Sequence, residues 1–237
     1  MIRELIWDST LLGKKIGLLE ISSVKPVSLN AAIRKASNQG FAYVICKMRD
    51  QDTRLTRLLE SRGFYLSDIG TTWHADTEHL MKNIRCESSR SGRICTAEER
   101  DIPMLGKMSR SLFTESRFYQ DPFFSKRDAD MIYREWTENS VRGKAADVVF
   151  FIPNGGFITC RKKGRGVGEI VLIGLRPSFR GRGYGTALVQ KALHWFNHNR
   201  IRKITVRTQA KNISAMNFYL KSGFLIQGID LVYAKIL

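Results

Sequence analysis

The chain has 237 residues, 43% of them hydrophobic, which is enough to build the core of one large domain or two small ones. No apolar run approaches the ~18 residues of a membrane span, and the opening "MIRELIWDSTLLGKK" scatters charges where a signal peptide needs an apolar core. A cytoplasmic protein with no membrane partner is expected. The formal charge of +17 calls for a polyanionic partner, either nucleic acid or phosphate-bearing small molecules, and falls mostly on residues 91–237, where 25 Lys+Arg face 12 Asp+Glu.

In chain order, "FAYVICKM" (41–48) predicts a buried strand. "DTRLTRLLESRGF" predicts a short helix with Leu55, Leu58 and Leu59 on one face and Gly63 as its stop. The polar stretch "ESSRSGR" (87–93) reads as a linker, giving an N-terminal α/β unit over 1–90 and a second unit over 91–237. After it, "RICTAEERDIPML" predicts a strand and then a helix opened by a capping box of Thr96 and Glu99.

A β-meander follows, with strands near 147–152, 157–163 and 169–175, joined by an Asn154-Gly155 hairpin and a glycine-rich turn at 164–168. A helix over "TALVQKALHWFNH", a strand at 203–208 and a helix over "ISAMNFYLKSGF" come next. Two strands are expected in the final "FLIQGIDLVYAKIL". The cysteines (46, 86, 95 and 160) form no CxxC pair. His194 and His198 are the one close histidine spacing, so no metal is expected and the thiols read as free in a reducing compartment.

"LRPSFRGRGYGTALV" (175–189) carries the chemistry. Pro177 cannot donate to a ladder and ends the strand. Gly181, Gly183 and Gly185 then bare successive amides at a helix start, with Arg180 and Arg182 adding full charge, a construction suited to a pyrophosphate. The P-loop pattern GxxxxGK[ST] is absent, and the antiparallel meander ahead of the glycines argues against a Rossmann unit.

In that setting "LRPSFRGRGYG" resembles the acetyl-CoA signature of the GNAT acetyltransferases: a strand, x-Pro, then [QR]xxGx[GA], with Arg180, Gly183 and Gly185 on the fixed positions. "NISAMNFYLKSGF" (212–224) resembles the family's second motif, Asn-x-x-A-x-x-x-Y-x-x-x-G-F. The resemblance implies an α/β (α+β) fold, a mixed central sheet flanked by helices, with a smaller N-terminal α/β domain. It implies acetyl-CoA as co-substrate, its pyrophosphate on Arg180, Gly181, Arg182, Gly183, Tyr184, Gly185 and Thr186. The strand at 169–175 would splay from that at 203–208, so that Ile173, Gly174 and Leu175 pair with the pantetheine arm in β-addition fashion. Asn212 would lie near that arm. Tyr219, which by spacing alone reads as a core aromatic beside Ala215 and Phe218, would protonate the leaving thiolate.

Within the family, "SLFTESRFYQDPFF" (111–124), "YREWTENSVRG" (133–143) and the opening Trp7–Gly13 resemble enzymes that acetylate the amine of a nucleotide-linked sugar, dTDP-4-amino-4,6-dideoxygalactose, for surface-glycan synthesis. That implies a phosphate-bearing acceptor, with Arg117 and Arg142 on its diphosphate and Phe118 or Trp136 packing a ring. Asp68, just past Gly63-Phe64, would receive the amine proton, with Glu169 as rival. The full Pro-containing turn departs from the shortened loop of those sugar enzymes. Another amine (an antibiotic, a protein N-terminus or a lysine) is the alternative acceptor, and polyamines are disfavoured by the basic charge. No nucleic-acid partner is expected, because no block of Lys/Arg is interleaved with aromatics. The family admits a homodimer.

Overall fold

The computed structural model describes residues 1–20, 26–49, 52–83 and 94–237; the expected linker at 87–93 and Cys86 lie outside these. The first strands are β1 (Ile2–Glu4), β2 (Lys15–Leu19) and β3 (Phe41–Met48), with α1 (Ile6–Leu12) and α2 (Pro26–Asn38) between them. In α3 (Thr53–Glu60) the Asp52 carboxylate accepts from the amides of Arg54 and Leu55, and Gly63 closes the turn at φ 76°. β4 (Tyr65–Asp76) and α4 (Thr77–Asn83) complete the N-terminal segment.

After β5 (Cys95–Thr96) come α5 (Ile102–Ser109), α6 (Arg117–Gln120) and α7 (Lys126–Val141), the last opened by a capping box of Ser125 and Asp128. The meander is β6 (Val148–Ile152), β7 (Gly156–Gly164) and β8 (Val167–Leu175). Its turns sit where glycine and asparagine predict them, at Asn154 (φ 57°) and Gly166 (φ 72°). α8 (Tyr184–His198), β9 (Lys203–Gln209), α9 (Ile213–Lys221) and β10 (Leu225–Ile236) finish the chain.

Two local expectations are corrected. The carboxylate that closes a cap before α5 is Asp101, accepting from the Glu98 amide at 2.9 Å; Thr96 remains in β5, where it pairs with Phe150. The final segment is one strand, because a bulge that leaves Gln227 as the extra residue returns Gly228 to register opposite Thr72 and keeps β10 paired with β4 as far as Ala234.

The described strands form a single mixed sheet in the order β1-β2-β3-β10-β4-β9-β8-β7-β6-β5. It crosses the expected boundary between the two units, because β4 lies antiparallel between β10 and β9. One face is covered by α4, α8 and α9 over Trp73, Leu188, Val206 and Phe224, and further along by α2 and α3 over Val44, Cys46 and Leu59. The opposite face is covered by α1, α5 and α7 over Tyr43, Ile45, Val232 and Ala234. β3 alternates between the two cores, Tyr43 and Ile45 one way, Val44 and Cys46 the other, as a strand buried on both sides must.

One buried carboxylate ties the N-terminal strands to the segment after α6. Asp121, 3% exposed, accepts from the Tyr43 hydroxyl at 2.6 Å, the Tyr65 hydroxyl at 2.8 Å, the Ser67 hydroxyl and the Phe123 amide at 3.0 Å. Tyr43 also stacks on Phe123 with ring centroids 4.3 Å apart. Charge-assisted bonds of this kind are the strong class, and removing their shared acceptor strands buried donors. Asp121→Ala should therefore lower the unfolding free energy by about 3 kcal/mol in urea titrations; an unchanged midpoint would show that the other contacts suffice.

Candidate active site

β8 and β9 start as a parallel pair, Val167 opposite Lys203 through Ile170 opposite Val206, and the pairing ends there. Beyond it β8 stays with β7 as far as Leu175 opposite Gly156, while β9 stays with β4 as far as Gln209 opposite Gly70. The sheet opens into a V. A bulge marks the parting: Cys160 pairs with Ile170 and Thr159 with Leu172, leaving Val171 as an extra residue. The alternation then shifts, so that Ile170, Ile173 and Leu175 all face the core under α8 while Val171 and Leu172 face the core under α7. Residues 171–175 thus present an unpaired backbone edge to the gap, as expected for Ile173, Gly174 and Leu175. Gly174 is also closely packed: a Cβ there would come 3.0 Å from the Leu112 side chain, which would have to give way slightly.

The glycine turn closes the wide end of this arm. Gly181 (φ 70°) and Gly183 (φ 79°) hold left-handed conformations, and an added Cβ at either would meet nothing within 4 Å, so their backbone borders open space. Gly183 is the N-cap of α8, with no side chain bonding the free amides of that helix's first turn. Gly185 serves packing: its Cβ would lie 3.2 Å from the Phe218 ring. Arg180 donates from Nε to the Leu175 carbonyl at 3.0 Å and so fastens the turn to the end of β8, while Arg182 is exposed. Tyr184 packs its ring on Phe179 at 5.1 Å, and Thr186 is half-buried in the same turn of helix.

Asn212 is the N-cap of α9, its Oδ1 accepting from the Ala215 amide at 3.0 Å, which leaves Nδ2 for any ligand. Two turns on, Tyr219 is buried among Trp73, Phe218 and Phe224, with ring centroids 6.0, 5.6 and 5.7 Å away. Among the described residues nothing hydrogen-bonds its hydroxyl. Burial pushes the phenol above its ordinary pKa, so it is protonated at neutral pH.

On the other face, at the mouth of the V, a cavity of about 210 Å³ is lined by Asp68 and Ile69 from β4, Arg117 and Gln120 from α6, and Ala210 and Lys211 after β9. Asp68 Oδ2 and Arg117 Nη1 are both shielded from solvent without a hydrogen-bond partner. Burial raises the Asp68 carboxyl above the usual carboxylate range, against the lowering pull of the Arg207 and Arg117 guanidiniums. A cavity of similar size between β1 and α2 has Lys35 as its one charged side chain and none of the expected site residues.

Four expected site residues stand elsewhere. Glu169 is ion-paired to Arg161 at 2.7 Å and Lys163 at 3.2 Å, in the joined part of β8 and β9 opposite Thr205. It is six steps along the strand from Leu175, roughly 20 Å at ~3.3 Å per residue. Phe118 is a core side chain, packed edge-on to Phe124 at 5.2 Å and to Tyr133 at 6.1 Å. Trp136 is stacked on Tyr133 at 6.1 Å and met by Trp7 at 6.4 Å. Arg142, the C-cap of α7, is held by Glu138 at 3.2 Å, and Arg134 holds the same carboxylate at 2.7 Å. These side chains follow α7's own helical spacing, i to i+3 or i+4, and satisfy one another. Sequence reading also missed Asp8, brought by α1 to the Arg117 side of the cleft, and the Val171 bulge; neither has a local sequence signal.

The family model described as "Acetyltransferase (GNAT) family" matches residues 111–224, which contain the bulged strand, the glycine turn and Tyr219. The chain is 27% identical to the dTDP-fucosamine acetyltransferase of Escherichia coli O6:H1 over 94% of its own length and 92% of that protein. It is 34% identical to streptothricin acetyltransferase A of Bacillus subtilis (strain 168), over 50% of this chain and 67% of that one. The solved structure of a tandem GNAT protein from the clavulanic acid biosynthesis pathway superposes with a TM-score of 0.63 at 10% identity, covering 94% of this chain and 76% of the other. By motif across its C-terminal part, and by fold across nearly all of its length, the chain belongs to the GNAT acetyltransferase family.

Proposed function

We propose that the protein moves an acetyl group from acetyl-CoA to the amine of a nucleotide-linked 4-amino-4,6-dideoxy sugar of the dTDP-4-amino-4,6-dideoxygalactose type, by direct attack in a ternary complex. The observation that carries this reading is the end-to-end likeness to a dTDP-fucosamine acetyltransferase, which includes the N-terminal strands that wall the cleft. The antibiotic-acetylating relative matches only half of the chain.

Bound acetyl-CoA supplies an acyl thioester, whose transfer to an amine forms the amide bond and breaks the carbon–sulfur bond. The open backbone at Gly181 and Gly183 and the uncapped start of α8 suit its pyrophosphate, with Arg182 adding charge. The free edge at Ile173–Leu175 and Nδ2 of Asn212 suit the pantetheine arm.

The attacking nitrogen must be neutral and must shed a proton once bonded to carbon. Asp68, with its carboxyl raised by burial and one oxygen unpartnered, is the acceptor for that proton. Tyr219, across the gap on the opposite face of the sheet, holds its own proton firmly and delivers it to the departing sulfur. Glu169, bound to two cations, has no part in this scheme.

Three outcomes are expected. Tyr219→Phe should keep acetyl-CoA affinity while turnover falls about 10²-fold or more, read by calorimetry and thiol release; unaltered turnover removes the acid role. The rate at limiting acceptor should fall as pH drops through the raised Asp68 pKa, because the base works only when ionised. Asp68→Asn should abolish that acidic limb along with most of the rate. Thiol release from acetyl-CoA should respond to dTDP- or UDP-linked 4-amino sugars; silence with all of them beside activity on a peptide or antibiotic amine would replace the acceptor.

A further inference from the structure

Several charged side chains gather on the sheet face beside the acceptor cavity, contributed by both ends of the chain. Lys47 on β3 and Asp68 on β4 both lie opposite Val232 of β10, whose side chain is in the core under α1 and α7. Directly opposed residues share a face, so the ammonium and the carboxylate stand two strand spacings apart on that side.

Arg207 of β9 lies flat across the next row. A Cβ at Gly70 would fall 1.7 Å from its Nη2, so only glycine leaves the guanidinium its bed. Asp230, opposite Gly70, accepts from Arg207 Nε at 3.4 Å and approaches Arg49 at 4.0 Å. Arg117 approaches from α6 with its guanidinium 4.4 Å above the Phe118 ring and Nη1 unpartnered.

Charge in this cleft is left unresolved by the fold. Lys47 opens to solvent, yet among the described residues it makes no hydrogen bond and no ion pair. The surrounding protein holds its ammonium below the ordinary lysine pKa, and the neighbouring Arg117 and Arg207 push it further down. Asp8, from α1, and Asp68 also face the group, but burial raises both carboxyls and so weakens them as counter-charges. Asp230 is already engaged by Arg207 and Arg49. Three cations from three separate elements therefore stand close enough to act on one another beside the cavity that Arg117 lines; Arg207 is paired to Asp230, while among the described residues Lys47 and Arg117 form no ion pair. A ligand that brought two or more anionic oxygens would relieve that repulsion.

We infer that Lys47, Arg117 and Arg207 form the seat of the acceptor's diphosphate, with Gly70 as the clearance that lets Arg207 lie there. This rests on the nucleotide-sugar reading above and replaces Arg142, which its own helix holds. Two forked guanidiniums and one ammonium match a diphosphate's oxygens. Asp68 stands beside the seat to meet the amine end of the same molecule, so the cleft suits a ligand that is anionic at one end and basic at the other.

The test is calorimetric titration of the full chain with dTDP, which carries the diphosphate without the sugar. Lys47→Met and Arg207→Met keep much of each apolar stem; each should weaken dTDP binding about tenfold or more, with acetyl-CoA affinity and melting temperature unchanged. Arg142→Met should bind dTDP as the parent does. Arg207→Lys should recover part of the lost affinity if Arg207→Met folds poorly. Parental dTDP affinity in Lys47→Met and in Arg207→Met, or in Lys47→Met alone if Arg207→Met does not fold, would overturn the seat and leave the acceptor reading standing. A parent chain that binds neither dTDP nor UDP, yet acetylates another amine, would overturn both.

Discussion

The position of β4 governs everything near the site. Hydrogen-bonded along one edge to β10 and along the other to β9, it holds the outgoing half of β9 after β8 has let go at Ile170. A V in a sheet leaves two strand edges with unmet backbone groups, and such edges are costly unless something occupies or shields them. Here β4 stabilises one arm and β7 the other, so the gap persists as a fixed slot. The same strand carries Asp68 to the mouth of that slot, two residues before the pairing with β9 begins at Gly70.

The two sides of the slot differ chemically. On the α8 side the groups are backbone amides, a helix start and a buried phenol, all suited to a phosphate and a sulfur. On the α7 side they are acidic and basic side chains around a cavity, among them an unpartnered carboxyl oxygen and an unpartnered guanidinium nitrogen. Segment 112–121 joins the sides. Leu112 packs against Gly174 at the end of β8, Arg117 and Gln120 line the cavity, and Asp121 is anchored to β3 and β4. The bulge at Val171 suits this division, because it turns Ile173 toward one side while Leu172 keeps to the other.

What local chemistry dictates was legible in the sequence. Asn154, the glycines at 164 and 166, and the strand–proline–glycine run into α8 stand where their backbone preferences require. Long-range pairing was not legible. Nothing within residues 65–76 says that they will separate β9 from β10, and no local pattern announces an extra residue at 171. Side chains on α7 failed for a related reason. Helical spacing shows that Trp136 and Arg142 have neighbours one turn away, but not whether a third body, ligand or core, lies against them; here Tyr133, Trp7 and Glu138 meet that need. Thr96 matched the capping-box pattern, yet β-pairing with β6 claimed it first.

The sheet order also bears on how the molecule is made. β3 and β4 emerge from the ribosome early, but the strand that joins them begins only at Leu225. Until then β3 and β4 each present an edge that only β10 will fill, and the partners of Asp121 are divided between them, Tyr43 on one strand and Tyr65 and Ser67 on the other. Such non-local closure is slow, and it favours a late, concerted assembly in which the slot and the cleft appear together.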